Sequence, residues 1–254
     1  MMERYVRFDT AEGIRWGVLG EGHITEITCN PALGYELTDI YHQPSQIKLL
    51  APVEPSKIVC VGLNYREHVK ESQSATKEPD EPVLFLKPPS ALLGPGEKII
   101  YPEMAQRVDY EAELGVIIGR ECSNIAEVEA EDYIFGFTCV NDVTARDLQK
   151  KDVQWTRAKG FNTFCPVGPW IVDKLKYNDL LVESYLNGEL KQSSRTSMMI
   201  FPVAVLISFI SKVMTLMPGD LISTGTPAGI APMQVGDRIE VRIEGIGSLA
   251  NDIA

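Results

Sequence analysis

The chain has 254 residues, 44% of them hydrophobic and 23% charged, a globular balance that excludes a mainly disordered polypeptide. Asp and Glu number 35 against 24 Lys and Arg, for a net charge of −11. Such a surface repels nucleic-acid phosphates and anionic lipid, so neither is expected as a partner, and an anionic substrate needs local positive charge such as a metal ion.

The chain opens MMERYVRF, with charges where a secretory signal needs an apolar core. RYVRF, IRWGVL and HITEIT have strand composition and are separated by glycine-containing turns. Residues 1–50 therefore read as a small β-rich domain, and LLAPVEPSKI, with Pro52 and Pro55, as a linker. From residue 57 the pattern becomes richer. IVCVGL (58–63) and VLFLK (83–87) read as buried strands, with helical character in NYREHVKES between them. YEAELGVIIG (110–119) alternates apolar and acidic residues before becoming wholly apolar, which predicts a strand half-exposed at its start. YIFGFTCVND is strand-like, TARDLQKKD a short helix, and Asn187-Gly188 a hairpin turn between two strands. A helix over Pro202–Met214 lies within the longest apolar stretch, and Pro202, Ser208, Ser211 and Lys212 mark that stretch as a buried helix rather than a membrane span. Strands outnumber helices and no regular βαβ alternation occurs, so the expected class is α+β, rich in β, with residues 57–254 as the larger domain.

The five cysteines, Cys29, Cys60, Cys122, Cys139 and Cys165, are odd in number and contain no C-x-x-C pair. A disulfide framework and a thiolate zinc site are both disfavoured, a reducing cytoplasm is expected, and all five read as small buried hydrophobes.

Four groups of residues could carry chemistry. On a strand, Glu111 and Glu113 project from one face, where two unpaired carboxylates repel unless a hard cation relieves them. Asp142, at the end of another strand, adds a third oxygen ligand, and three carboxylates without Cys or His select Mg²⁺, Mn²⁺ or Ca²⁺ over zinc. Asp109 shares that face, and nothing local decides whether it joins them. The competing reading is a solvated acidic strand face. His68 and Glu71 are adjacent at i, i+3 on a helix, so the carboxylate can orient the imidazole for proton transfer; an ordinary surface charge pair competes. Arg146, Gln149 and Lys159 supply donors for a substrate carboxylate or an enolate, although Asp147 could simply pair Arg146. STGTPAG (223–229) has small residues whose N–H groups can approach an anion closely, but lacks the ending of a P-loop.

In this order, VGLNYREHVKE, PVLFLKPPSALLGPGE, DYEAELGVIIG, FGFTCVNDVTARDLQ, WTRAKGFNTFCPVGPW, LNGELKQ and PGDLISTGTPAGI resemble the fumarylacetoacetate hydrolase family over most of the chain, from about residue 57 onward. The resemblance is to its compact branch, which has a short N-terminal segment. It implies a mixed β-roll, a homodimer, and Mg²⁺ or Mn²⁺ held by Glu111, Glu113 and Asp142. It also implies catalytic roles for His68 and Glu71 on a lid-like segment and for Lys159, with Arg146, Gln149 and Thr226 contacting the substrate. The implied function is a divalent-metal-dependent enzyme acting on a small 2-oxo or 2-hydroxydienoic acid through a metal-stabilised enolate, by isomerisation, tautomerisation or C–C cleavage. The alternatives are an oxaloacetate-type decarboxylase of the same family and a non-catalytic cation-binding dimer.

Overall fold

The continuous apolar runs become the inner strands of one large sheet in the computed structural model, which describes residues 2–71 and 77–254. The sheet runs in the order Leu37–His42, Ile24–Ile27, Gly13–Leu19, Arg4–Thr10, Cys165–Val172, Ile134–Asn141, Ala112–Ile118, Leu221–Ser223, Ile58–Gly62, Val83–Lys87. Ala112–Ile118 is bonded on both sides, antiparallel to Ile134–Asn141 and to Leu221–Ser223, and all seven of its residues are buried. A strand covered on both faces needs apolar side chains on both, which the run LGVII supplies. Leu114, Val116 and Ile118 join one core with Val182, Val241 and Leu249 of a second, five-stranded sheet and with the helix Val203–Val213. Ile117 points the other way, into a core shared with Tyr5, Trp16 and Ile27 of the N-terminal strands.

Local signals account for several elements. Asn187 and Gly188 both have positive φ, 53° and 82°, the primed turn whose twist matches the antiparallel strands Leu181–Leu186 and Glu189–Arg195. Pro202 caps Val203–Val213, whose Val203, Leu206, Ile207 and Ile210 recur at helical spacing toward the core. Its buried serines are satisfied: Ser208 Oγ donates to the Ile125 carbonyl, and Ser211 Oγ accepts from the Ile125 N–H. No helix among the described residues is long and apolar enough to cross a membrane.

Arg4 and Tyr5 pair with Val172 and Ile171, so the strands of the first fifty residues continue the main sheet. Three expectations change. The proline-containing stretch that reads as a linker is packed, with Ala51, Pro52, Val53 and Pro55 buried, because its apolar side chains fill the seam beside that pairing. Val83–Lys87 is the outermost strand of the sheet path and only half-buried, with Leu86 exposed. Cys29 is exposed, whereas the other four cysteines are buried, all five being free thiols.

Candidate active site

The register of the central strands assembles the acidic cluster. Ala112 pairs with Asn141, and one step further the Asp142 N–H donates to the Glu111 carbonyl at 2.9 Å, which sets Asp142 opposite Glu111. Asn141 Oδ1 accepts from the Glu111 N–H at 3.0 Å and fixes the break between the strands Val108–Asp109 and Ala112–Ile118. One carboxylate oxygen from each of Glu111, Glu113 and Asp142 then lies within 4.8 Å of the others. All three residues are buried, so the expected half-exposed strand start is corrected. Burial is tolerated because the partners arrive from distant segments.

Lys159, at the end of the helix Thr156–Lys159, donates to Glu111 Oε2 at 2.8 Å and to Asp142 Oδ2 at 2.6 Å. Arg146 Nη2 reaches Glu111 Oε1 at 2.5 Å, its Nη1 donates to Gln149 Oε1 at 2.6 Å, and its Nε to Asp109 Oδ2 at 3.0 Å. Asp109 also takes both arms of a fork from Arg107, so two arginines hold it outside the three-carboxylate cluster. Burial alone would raise the Glu111 carboxyl, but the Lys159 ammonium and the Arg146 guanidinium outweigh it and hold it well below its ordinary range. Glu113 has no cation of its own. Burial, then Asp142 and Glu111, push it up to about 8, and the Ser223 hydroxyl at 2.5 Å and the more distant Lys159 ammonium offset this only in part; the N–H of Gly225 also donates to Oε2, at 2.8 Å. The anion approached by STGTPAG is thus the chain's own Glu113. Gly225 has φ +99°, and a Cβ there would stand 2.7 Å from Asn64 Cβ, so only glycine brings its N–H this close.

The donor set suits a hard divalent cation. Three carboxylates converge, Glu113 is raised by burial and by the two beside it, and the only group facing Asp142 Oδ1 among the described residues is the Lys87 ammonium at 2.7 Å, outside hydrogen-bond alignment. The enclosing walls are Val61, Gly62, Leu63, His68, Phe85, Arg146, Gln149, Trp155 and Thr226, and they leave about 20 Å³ open to a water-sized molecule. That is room for one water or one ion, so a substrate requires the walls to part. A surface cleft of about 920 Å³ beside Arg120, Phe137 and Tyr177 is larger, but it includes no member of the acidic cluster.

His68 is buried in the wall, with Nδ1 3.5 Å from Glu71 Oε2 and without hydrogen-bond alignment, so the contact is electrostatic. The neighbouring imidazole, with the Gly229 N–H at 3.0 Å, keeps the Glu71 carboxyl below its ordinary range despite some burial. The lid-like segment expected to carry this pair continues into residues 72–76, which lie outside the described residues. Thr226 borders the cavity with its hydroxyl already engaged, donating to the Ala112 carbonyl and accepting from Gln192 Nε2.

Sequence reasoning did not find Lys87, Phe85 or Trp155. The Phe85 and Trp155 rings meet edge-on at 5.3 Å, and Lys159 Nζ lies 4.9 Å from the Phe85 ring centre. A Cβ on Gly62 would collide with Trp155 at 2.8 Å, so the glycine in VGLN is the local trace of that aromatic wall. Leu63 follows it with φ 61°, a conformation that costs a non-glycine residue about 1–3 kcal/mol. Asn64 holds it in place, accepting from the Phe201 N–H and donating to the Phe201 and Thr224 carbonyls.

The family described as fumarylacetoacetate (FAA) hydrolase C-terminal matches residues 57–254, and one described as Rv2993c-like, N-terminal, matches residues 3–52. The crystal structure of 2-hydroxyhepta-2,4-diene-1,7-dioate isomerase from Mycobacterium marinum superposes with a TM-score of 0.92 at 43% identity, covering 99% of this chain and 98% of that one. Oxaloacetate tautomerase YisK of Bacillus subtilis is 42% identical over 86% of this chain and 77% of its own length. Maleylpyruvate hydrolase from Sphingobium sp. SYK-6, solved with manganese(II) and pyruvate, has a TM-score of 0.82 at 31% identity, covering 99% of this chain and 98% of that one. The chain belongs to the fumarylacetoacetate hydrolase family of enzymes.

Proposed function

We propose that this enzyme takes a small 2-oxo or 2-hydroxydienoic acid and either moves its double bond, interconverting keto and enol forms, or breaks a C–C bond. The carrying observation is the buried cluster of Glu111, Glu113 and Asp142 with Lys159 bridging two of its members. These three carboxylates are the residues that would hold Mg²⁺ or Mn²⁺, and manganese(II) with pyruvate in the maleylpyruvate hydrolase structure supports that choice. A bound divalent cation supplies Lewis acidity toward the carboxylate and oxo oxygens of a 2-oxo acid. Lys159 places a fixed positive charge where negative charge develops on the substrate oxygen. His68, with Nδ1 turned to Glu71, has Nε2 available to carry the proton to or from the substrate carbon or a water. Arg146 and Gln149 orient the acid end, and Thr226 borders the same space. Once the walls close, Phe85 and Trp155 keep bulk water away.

The oxaloacetate tautomerase relative favours tautomerisation among the outcomes, with decarboxylation of an oxaloacetate-type acid as the second reading. The 1–50 and 57–254 division, with the second part catalytic, a homodimeric state and a cytoplasmic location are part of the same proposal. Turnover of oxaloacetate, an acylpyruvate and a 2-hydroxy-2,4-dienedioate, each measured with Mg²⁺, with Mn²⁺ and with a chelator, tests it. The expectation is metal-dependent turnover of at least one of these acids, and no turnover of any would refute the assignment.

A further inference from the structure

Lys87 ends the strand Val83–Lys87, and its side chain is completely buried. Its Nζ donates to three backbone carbonyls, Val143 at 3.0 Å, Lys159 at 2.6 Å and Phe164 at 2.8 Å. An ammonium has three protons, so these carbonyls use all of them. Asp142 Oδ1 lies 2.7 Å from the same nitrogen yet receives no hydrogen bond. Lys87 therefore forms a close buried ion pair with Asp142 while its protons are directed at the three carbonyls. Burying an ammonium is costly, and a methionine of similar size would fill the space without that cost. The three carbonyls belong to the residue after Asp142, to Lys159 itself, and to the residue before the strand Cys165–Val172. Thr156–Lys159 is a four-residue helix followed by Gly160, too short to hold its last residue rigidly by its own hydrogen bonds.

We propose that Lys87 is a positioning residue that locks Lys159 and Asp142 into one arrangement, an inference that rests on the site reading above. Lys87 does not itself border the cavity, and it acts through the Lys159 main chain and the Asp142 carboxylate. Displacing a reacting group by about 1 Å can cost about a hundredfold in rate, which sets the scale of the effect.

Two measurements test this. Among the described residues Lys87 and Lys159 are the buried lysines, so protein labelled with ¹⁵N at lysine Nζ should show two ammonium resonances protected from exchange. Lys159→Ala removes one and so identifies the other. Adding Mg²⁺ with oxalate to the wild type should shift both. A shift of the Lys159 resonance alone, or the absence of a second protected resonance, overturns the proposal and leaves the site reading intact, whereas no shift of either refutes the site reading itself. In the second measurement Lys87→Met should lower kcat by about a hundredfold and weaken oxalate binding, yet add less than about threefold in kcat when combined with Lys159→Ala. Full multiplication of the two losses, or a folded Lys87→Met enzyme with wild-type kcat and oxalate affinity, overturns the proposal. If Lys87→Met fails to fold, the resonance experiment decides alone.

Discussion

Lys159 gives its ammonium to two carboxylates at once, while His68 sits in the cavity wall with only a loose contact to Glu71. The two residues should therefore fail differently when removed. His68→Ala should lower kcat by about a hundred- to ten-thousandfold and leave Mn²⁺ and oxalate binding nearly unchanged, because a proton carrier acts only in the reaction step. Glu71→Gln should cost less, since the carboxylate is partly exposed and lies 3.5 Å from the ring. Lys159→Ala should weaken turnover and oxalate affinity together, its charge facing the anion before and during reaction. Steady-state kinetics with oxalate calorimetry separates these patterns, and wild-type kcat in both His68→Ala and Lys159→Ala would defeat the assignment. Glu113 makes a separate prediction, because its ordinary value of 4.5 is raised to about 8 in the fold. A carboxyl raised on folding contributes stability that is complete below about 4.5 and is lost as pH rises through about 8. Glu111 is lowered, so its own contribution changes only below 4.5 and does not overlap that window. The metal-free protein should thus lose melting temperature between about pH 5 and pH 8.5, Glu113→Gln should flatten the loss, and saturating Mn²⁺ should abolish it. An equal slope in Glu113→Gln would show that the group responsible lies elsewhere.

The elements differ in how far their own sequence announces them. Asn187-Gly188 and Pro202 are local instructions, a primed turn and a helix start, and the hairpin and the helix lie where those residues indicate. Gly188→Ala should cost about 1–2 kcal/mol by urea denaturation, because φ 82° is unfavourable with a Cβ. It should leave kcat unchanged, since a Cβ there meets nothing within 4 Å; a lowered kcat would mean the hairpin is coupled to the site. The shared face of Glu111 and Glu113 is legible from their spacing, and the nearness of Asp142 from a strand ending in aspartate. Their burial was not legible. Alternation of acidic and apolar residues reads locally as a half-wet strand, and only Lys159, Arg146, Ser223 and Gly225, brought in from other segments, make a dry one tolerable. Lys87 and Trp155 escaped for the same reason, their roles being set by carbonyls and rings far away in sequence. The packed stretch around Pro52 reads as a linker because proline signals a break in secondary structure, not exposure.

At the scale of the molecule, the first fifty residues extend the sheet that carries the acidic cluster, through the pairing of Arg4–Thr10 with Cys165–Val172. The large sheet, the five-stranded sheet and the helix Val203–Val213 enclose one core, and the acidic cluster stands at the end of the central strand Ala112–Ile118. Leu114→Ala, in the middle of that strand and fully buried, should cost about 2–5 kcal/mol by denaturant unfolding, and a loss under about 1 kcal/mol would contradict the packing described. Against a net charge of −11, the anionic acid proposed as substrate would need concentrated positive charge, and Arg146 and Lys159 meet at the cluster with the three carboxylates that would hold a cation. Titrating Mn²⁺ by calorimetry into the metal-free wild type and the Glu111→Gln/Glu113→Gln double variant tests that centre most directly. One ion per chain in the wild type, with affinity reduced by about tenfold or more in the double variant, is the predicted result; equal affinity in both proteins would contradict it.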